Sequence, residues 1–277
     1  MRHSASEART AAGAPPKKSL GQHFLTDPNI LRKIVDAARL SPADTVIEIG
    51  PGRGDLTRHL GRAAGCVFAV EFDRRLIPSL QSDLRDLGNV HLVRGDALTF
   101  PLHRLPFGSA AVANLPYNVA TAILMRLVEE RTRFSRLVLM FQKEVADRIT
   151  ASPGTKDYGS LTLAVRYVMD AEILFKIPPG AFSPPPKVDS AVVRLVPLPA
   201  PRVKVRDERF LFSVIRAAFG QRRKTLRNAL RSIADAEALS AAGKDADIDL
   251  ARRGETLSLD EFARLADFLF ERTGRKG

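Results

Sequence analysis

Short runs of apolar and β-branched residues alternate with helical patterns over the first part of the chain. The runs lie at 45–50, 66–71, 90–95, 109–115 and 136–141. Strands are apolar almost throughout when helices cover both faces of a parallel sheet. The pattern therefore predicts an α/β fold, doubly wound and Rossmann-like, with a mostly parallel sheet.

Two further apolar runs follow a stretch at 152–159 that is punctuated by glycine and proline. They occupy 173–177 and 190–198 and are joined by a proline-rich segment. Because proline cannot donate a hydrogen bond to a ladder, it is confined to edges and loops of sheets. We therefore expect a late antiparallel hairpin that is added to the sheet.

Beyond residue 204 the apolar spacing becomes helical. Ser258 and Glu261 have the spacing of a capping box, which predicts the start of a last helix. Two apolar stripes precede it, one formed by Phe210, Leu211, Val214, Ile215 and Ala218 and the other by Leu226, Leu230 and Ile233. We expect three parts: a disordered tail at 1–16, an α/β domain at 17–204 and a small all-α domain at 205–277.

The charge balance favours a polyanionic partner. The chain of 277 residues has 43 Lys and Arg against 31 Asp and Glu, a net charge of +12. No apolar run approaches the ~18 residues of a membrane span. Cys66 is the only cysteine, so a disulfide framework is excluded and a reducing, cytoplasmic location is expected. The five histidines and Cys66 show no ligand spacing, so we predict no metal.

A glycine-rich loop follows the first long run, at the place where an open α/β sheet binds its ligand. Its glycines are Gly50, Gly52 and Gly54. The dinucleotide fingerprint requires a third glycine at position 55, where the chain has Asp55, which argues against NAD. Glu48, just before the loop, would repel a pyrophosphate and suits a cationic ligand. S-adenosylmethionine meets both requirements, because it has a nucleoside for the glycine loop and a positive charge for Glu48.

Two more acids follow the next two strands. Glu71 ends the second run, where a carboxylate accepts hydrogen bonds from ribose hydroxyls, and Asp96 follows the third, within reach of an adenine amine. Taken singly, each acid is more typical of a solvated loop residue or a helix cap. Three acids around one glycine loop predict a class I S-adenosylmethionine-dependent methyltransferase domain.

The residues Asn114, Leu115, Pro116 and Tyr117 end the fourth run. An adenine amine is a poor nucleophile, and hydrogen bonds accepted from its N–H groups would localise its lone pair. Asn114 offers a side-chain carbonyl, and Pro116 keeps Leu115 extended so that its backbone carbonyl serves as a second acceptor. Tyr117 offers a face for stacking an unstacked base. The alternative is an ordinary strand-ending turn.

Several longer strings accompany these motifs and cover the chain from about residue 17 onward. They are LGQHFL (20–25), EIGPGRG (48–54), NLPYN (114–118), QKEVADR (142–148), KDYGSL (156–161) and FSPPPKVDSAVVRL (182–195). Together they resemble the KsgA (RsmA) family of small-subunit rRNA adenine-N6,N6 dimethyltransferases, which is similar to the Erm-type enzymes.

The resemblance implies that the segment GQ-x-FL closes over the cofactor. S-adenosylmethionine would then contact His23, Leu25, Gly50, Gly52, Glu71, Asp96 and Asn114. The family usually has Asn where this chain has His23, and one neutral imidazole cannot be donor and acceptor in the geometry of an amide. Phe182 is implied as a second aromatic that sandwiches the target adenine opposite Tyr117. Catalytic roles would thus fall to Asn114, Leu115, Pro116, Tyr117 and Phe182.

The family's reaction places two methyl groups on each of two adjacent adenosines in a hairpin loop near the 3′ end of 16S rRNA, late in assembly of the 30S subunit. By resemblance we expect this reaction, a role in ribosome biogenesis and a monomeric enzyme.

Residues 202–231 contain ten basic residues and two acids. An amphipathic helix pair with one basic side is typical of a phosphate-binding track, although a charge run is also typical of a solvated face. We expect RNA contacts from Arg216, Arg222, Arg223, Lys224 and Arg227.

Three alternatives stay open. Two are enzymes, an Erm-type methyltransferase of large-subunit rRNA and a DNA adenine methyltransferase. The third is a non-enzymatic assembly factor or RNA-binding module that retains the fold. The helical C-terminal part and the FSPPPKVDSAV segment favour the small-subunit family, and the sequence contains no separate DNA-reading motif.

Overall fold

The computed structural model describes residue 17 and residues 21–273. The tail at 1–16, which we expect to be disordered, lies outside the described residues. Among the residues that are described, no helix is both long enough and apolar enough to cross a membrane.

Nine strands and ten α-helices are present in the described part. The strands are β1 (Phe24–Leu25), β2 (Thr45–Ile49), β3 (Cys66–Glu71), β4 (Val90–Arg94), β5 (Ser109–Asn114), β6 (Phe134–Gln142), β7 (Met169–Ile177), β8 (Phe182–Ser183) and β9 (Ser190–Pro197). The helices are α1 (Pro28–Ala38), α2 (Asp55–Ala63), α3 (Ile77–Asp83), α4 (Ala120–Glu129), α5 (Lys143–Thr150), α6 (Ser160–Val168), α7 (Glu208–Gly220), α8 (Leu226–Ala229), α9 (Ala236–Asp245) and α10 (Leu259–Thr273).

Seven strands form one mixed sheet in the order β4-β3-β2-β5-β6-β9-β7. The pairs among β2 to β6 are parallel, whereas β9 is antiparallel to both β6 and β7. The strand order reverses between β2 and β5, which opens the crevice where such sheets bind ligands. The predicted α/β class and its late antiparallel pair are confirmed.

Successive residues of β2 point to opposite faces of the sheet and are buried on both. Val46 packs in a cluster with Leu31 of α1 and Leu60 of α2. Its neighbour Ile47 belongs to the larger cluster on the other face, which includes Leu124 of α4. This double coverage explains why the strand is apolar almost throughout.

A second, two-stranded sheet joins segments that are far apart in the chain. β1 and β8 are antiparallel, with Phe24 opposite Ser183 and Leu25 opposite Phe182. Thr26 extends the pairing, because its backbone N–H donates to the Ala181 carbonyl over 3.0 Å. The segment GQ-x-FL is thereby fixed to the proline-rich connection after β7.

The helices α7 to α10 follow the proposed domain boundary, which falls between β9 and α7. The predicted capping box is present: the Ser258 N–H donates to Glu261 Oε2 (2.7 Å), and the Glu261 N–H donates to Ser258 Oγ (3.2 Å). The stripe at 226–233 forms only the single turn α8 and a 3₁₀ turn, so it is shorter than its spacing suggests. The sequence pattern did not reveal α9.

The helical part is packed firmly against the sheet domain. Its buried apolar side chains, apart from Ala229, belong to the same cluster as Ile47. Tyr158, which precedes α6, is fully buried and donates its hydroxyl proton to the Leu257 carbonyl over 2.9 Å. The two parts therefore share one apolar core on one face of the sheet, while α1 and α2 cover the opposite face.

Candidate active site

A cavity of about 300 Å³ opens at the carboxyl ends of β2 to β5, beside β1. Every residue that the sequence assigns to the cofactor borders it, namely His23, Leu25, Gly50, Gly52, Glu71, Asp96 and Asn114. Leu115, Pro116 and Tyr117 border it as well. The cavity brings these residues together because parallel strands end at the same edge of the sheet.

The glycine loop has a backbone conformation that other residues rarely adopt. Gly50, Gly52 and Gly54 have φ angles of 69°, 61° and 81°, a region in which side chains are strained. A Cβ atom on Gly52 would also lie 2.9 Å from the Phe24 ring. The loop thus presents bare backbone to the cavity and forms a cradle for a closely approaching ligand.

Glu71 is buried, and its carboxylate is held in a fixed orientation. Its Oε2 accepts from the Gly52 N–H (3.1 Å) and its Oε1 from the Asp73 N–H (2.7 Å). Burial raises the pKa of the Glu71 carboxyl, and the two N–H groups oppose that shift. Each carboxylate oxygen has a further lone pair, so both remain able to accept from the hydroxyls of a ribose.

Asp96 and Phe72 both border the cavity. Asp96 Oδ1 accepts from the Leu98 N–H over 2.9 Å, while Oδ2 has no hydrogen bond within the described residues. The Phe72 ring, which the sequence analysis missed, is 62% exposed directly after Glu71. A large aromatic side chain that follows a strand-ending acid is the signal that would have identified it, since a purine would cover its apolar face.

Glu48 is the most deeply buried acid of the cavity, with 1% of its surface exposed. Its Oε2 has no hydrogen-bond partner among the described residues. Burial, assisted by the nearby Glu71 and Asp55 carboxylates, raises the pKa of Glu48 to about 8. The Thr57 hydroxyl partly opposes this rise in the pKa. A buried carboxyl oxygen without a full hydrogen-bond partner is costly unless a ligand satisfies it, and a cationic amine would do so.

The cradle, the unsatisfied acid and the ribose-type acceptor together fit S-adenosylmethionine. Its α-ammonium group would pair with Glu48, its ribose would donate to Glu71, and its adenine would lie against Asp96 and Phe72. No cluster of three or more His, Cys, Asp or Glu side chains suited to a metal ion occurs in the described part of the chain.

Asn114 lies at the end of β5, and its amide is oriented by the residue that precedes β1. Its Nδ2 donates to the His23 backbone carbonyl over 3.0 Å. A carbonyl oxygen only accepts, so this contact fixes which end of the amide is nitrogen. The Oδ1 atom is left to accept from an incoming amine.

Tyr117 is held at both its hydroxyl and its ring. Its hydroxyl lies 2.5 Å from Ser190 Oγ, and burial raises the pKa of the phenol, so the ring carries no charge near neutral pH. The His23 imidazole stacks on it with ring centroids 5.4 Å apart and an angle of 26° between the planes.

Phe182 is the one proposed catalytic residue that does not border the cavity. It is 4% exposed and packs in the cluster with α1 and α2, opposite Leu25 in the small sheet. Its part in sandwiching an adenine stays a prediction. In this structure the aromatic ring beside Tyr117 is that of His23.

A further contact, which the sequence analysis did not identify, fixes the segment before β1. Gln22 Nε2 donates to Asp73 Oδ2 over 3.1 Å. Arg75 also donates to Asp73, and these bonds hold the pKa of that carboxyl at about 2. The segment therefore stays attached to the loop that positions Glu71.

The five residues proposed for RNA binding are all exposed, but Arg222 already has protein partners. Its Nη2 donates to the Lys156 carbonyl (2.6 Å) and the Tyr158 carbonyl (3.3 Å), and it pairs with Glu255 at 3.5 Å. The others, Arg216, Arg223, Lys224 and Arg227, form no ion pair with an acid in the part of the chain that is described. Arg222 thus joins the two parts of the protein, and the remaining four present unpaired charge.

Comparison with known proteins gives the same family for almost the whole chain. The family model described as ribosomal RNA adenine dimethylase matches residues 14–271. The ribosomal RNA small subunit methyltransferase A of Pelotomaculum thermopropionicum is 50% identical, with 95% of this chain and 94% of that protein covered. The protein of the same name from a Geobacillus strain is 48% identical, with 91% of each chain covered.

Solved structures agree in fold over both parts of the chain. A dimethyladenosine transferase from Plasmodium falciparum has a TM-score of 0.75 and 28% identity, covering 91% of this chain and 98% of that one. The 23S rRNA methyltransferase ErmE has a TM-score of 0.70 and 28% identity, covering 89% and 99%. The chain therefore belongs to the ribosomal RNA adenine dimethylase family and is an S-adenosylmethionine-dependent methyltransferase.

Proposed function

We propose that the protein dimethylates N6 of two adjacent adenosines in a hairpin loop near the 3′ end of 16S rRNA, within a precursor of the 30S subunit. The observation that carries the proposal is the position of Asn114 beside the cofactor cavity, with an acceptor oxygen available for an amine. The names of the relatives, which are small-subunit methyltransferases, support the choice of RNA.

The cofactor would lie along the ends of β2, β3 and β4. The backbone of the glycine loop accommodates its close approach, Glu71 accepts from its ribose and Glu48 pairs with its ammonium group. S-adenosylmethionine supplies an electrophilic methyl group. The bare glycines and the fixed Glu71 carboxylate would hold that methyl in one place relative to Asn114, so that most of the rate enhancement comes from alignment.

The target adenine would enter beside Tyr117 after leaving its own stack. Asn114 Oδ1 and the Leu115 carbonyl accept from the two N–H groups of the amine, which localises its lone pair and stabilises the developing positive charge. Sequence-specific RNA recognition favours loops, where bases are already unstacked. An exposed loop adenine therefore suits this pocket better than a paired one.

The decisive experiment offers the enzyme and tritiated S-adenosylmethionine two kinds of particle, 30S and 50S, each lacking its own modifications. We expect label only in 16S rRNA, in dimethyladenosine near its 3′ end. Label in 23S rRNA would instead establish an Erm-type activity, an alternative that the similarity to ErmE keeps relevant. Absence of label from both particles would refute a methyl-transfer role on rRNA.

For the RNA surface we propose Arg216, Arg223, Lys224 and Arg227, with Arg222 serving chiefly to join the two parts. Replacing both Arg223 and Lys224 with Ala should remove two phosphate contacts. The slope of log affinity against log salt concentration should then become shallower by up to about 1.4 to 1.8. The measurement is the affinity for unmethylated 30S particles across a salt series.

A matched control for this pair replaces Arg32 and Lys33 of α1, two exposed cations on the opposite face of the sheet. The control should leave the slope unchanged although it removes the same charge. Equal slopes for the two double variants would mean that the RNA does not follow the helical part.

We also propose a cytoplasmic monomer. Exposed large apolar side chains in the described part are few, namely Phe72, Phe107, Val188 and Val196, and Phe72 borders the cofactor cavity. A stable homodimer usually buries a larger apolar patch.

A further inference from the structure

Arg53 lies in the glycine loop, between Gly52 and Gly54, and borders the cofactor cavity. Its side chain makes no hydrogen bond and no ion pair within the part of the chain that the structure describes. The Nε atom is nevertheless buried. A buried donor of a charged group is costly to leave without an acceptor. The Arg53 side chain therefore suits a ligand that supplies one.

An aromatic ring of β1 holds the Arg53 guanidinium in place. The Cζ atom lies 4.7 Å from the centroid of the Phe24 ring, which is within the range of a cation–π interaction. Phe24 is itself buried and borders the same cavity. The contact fixes the position of the guanidinium beside the cavity without giving its N–H groups an acceptor.

The charges around the cavity leave one place for an anion. The charged side chains that border it in the described residues are Glu48, Arg53, Asp55, Glu71 and Asp96. Arg53 is thus the only Lys or Arg among the described residues of the lining. S-adenosylmethionine has one anionic group, the carboxylate next to its ammonium group. Four acids would repel that carboxylate anywhere except beside a cation.

The ammonium and carboxylate groups of the cofactor are attached to one carbon atom, so their partners must lie near each other. Burial raises the pKa of Glu48, and the Asp55 carboxylate adds to that rise. Burial also raises the pKa of Asp55, whereas the positive charge of Arg53 opposes that rise. Asp55 therefore lies close to both Glu48 and Arg53, which places the two groups at the same end of the cavity.

We propose that Arg53 binds the carboxylate of S-adenosylmethionine while Glu48 binds its ammonium group. A guanidinium has a fork of N–H donors that matches the two oxygens of a carboxylate. Fixing the methionyl end of the cofactor at two points would restrict its rotation and keep the reactive methyl group directed toward Asn114. The proposal rests on the placement of the ammonium group at Glu48 and holds for any RNA substrate.

The test combines two proteins with two ligands and measures calorimetric affinity at neutral pH without RNA. The second ligand is decarboxylated S-adenosylmethionine, which keeps the nucleoside, the sulfonium and the amine. Arg53→Met keeps an unbranched side chain that can pack on Phe24 but has no charge. This variant should bind S-adenosylmethionine about 10- to 10²-fold more weakly, as expected for the loss of a hydrogen-bonded charged partner. Its affinity for the decarboxylated ligand should change by less than about threefold, because that ligand has no anion.

Two further variants serve as controls. Arg62→Met removes an exposed cation of α2 that does not border the cavity, and it should leave both affinities unchanged. Arg53→Lys keeps a cation without the fork and should retain part of the affinity for S-adenosylmethionine. It provides the same two-ligand comparison if thermal unfolding shows that Arg53→Met is not folded.

Two results would overturn the assignment to Arg53. One is an unchanged affinity of Arg53→Met for S-adenosylmethionine. The other is an equal loss of affinity for both ligands in a folded variant, which would mean that Arg53 acts only through the shape of the loop. Neither result depends on methyl transfer, so both are distinct from a failure of the enzyme to label 16S rRNA.

Discussion

Replacing Asn114 with Ala is expected to lower the single-turnover rate of methyl transfer by about 10²- to 10³-fold, the effect of removing one preorganised group that stabilises developing charge. The His23 backbone carbonyl, just before β1, orients the amide so that Oδ1 is available to the amine. The Ala variant removes this acceptor, while the Leu115 carbonyl remains. Cofactor affinity should change only a few-fold, because Glu48, Glu71 and the glycine loop are untouched.

The control for this prediction is Asn114→Asp. Asp keeps an acceptor at the same position but cannot donate to the His23 carbonyl, so it should retain more activity than Ala. Rates are measured on 30S particles at saturating cofactor, with affinities from calorimetry. Near-normal turnover by Asn114→Ala would be incompatible with the acceptor role. Equal losses in both variants would mean that Asn114 acts chiefly through its contact with the His23 carbonyl.

Much of the site follows from sequence because parallel strands bring their carboxyl ends to one edge. Glu71 and Asp96 each follow an apolar run, and identifying the runs as parallel strands is enough to place both acids in one cavity. The glycine spacing is equally informative. Gly50, Gly52 and Gly54 all have positive φ, which ordinary side chains disfavour.

The remaining features depend on long-range contacts that leave no local pattern. A two-residue strand such as β1 has no periodicity, and its partner Phe182 lies far along the chain. The pairing directs the Phe182 side chain into the apolar core and places the His23 ring beside Tyr117. Composition likewise cannot separate Arg222, which bonds two backbone carbonyls, from its neighbour Arg223, which has no acidic partner in the described residues.

Cofactor affinity is expected to depend strongly on pH through Glu48, with a maximum near pH 8. The pKa of Glu48 is raised to about 8 by burial and by the Glu71 and Asp55 carboxylates. Below that pH the acid is mostly protonated, and binding a cationic ammonium group requires it to lose the proton. Affinity should therefore rise by about tenfold or more from pH 6 to pH 8.

Above the maximum the affinity falls again as the pH rises, because the α-amino group of the cofactor loses its own proton near pH 7.7 to 8.0 as an ordinary amine.

Calorimetry without RNA measures both effects. At pH 6.5, the apparent binding enthalpy should differ between phosphate and Tris by nearly the full difference between the ionisation enthalpies of the two buffers. That difference corresponds to the release of close to one proton per bound cofactor. Glu48→Gln, which keeps the size of the side chain but cannot ionise, should bind more weakly at pH 8 and release no proton. If the wild type had a flat affinity between pH 6 and 8, or the same enthalpy in both buffers, the ammonium group would have to bind elsewhere, and the unsatisfied Oε2 of Glu48 would need another partner.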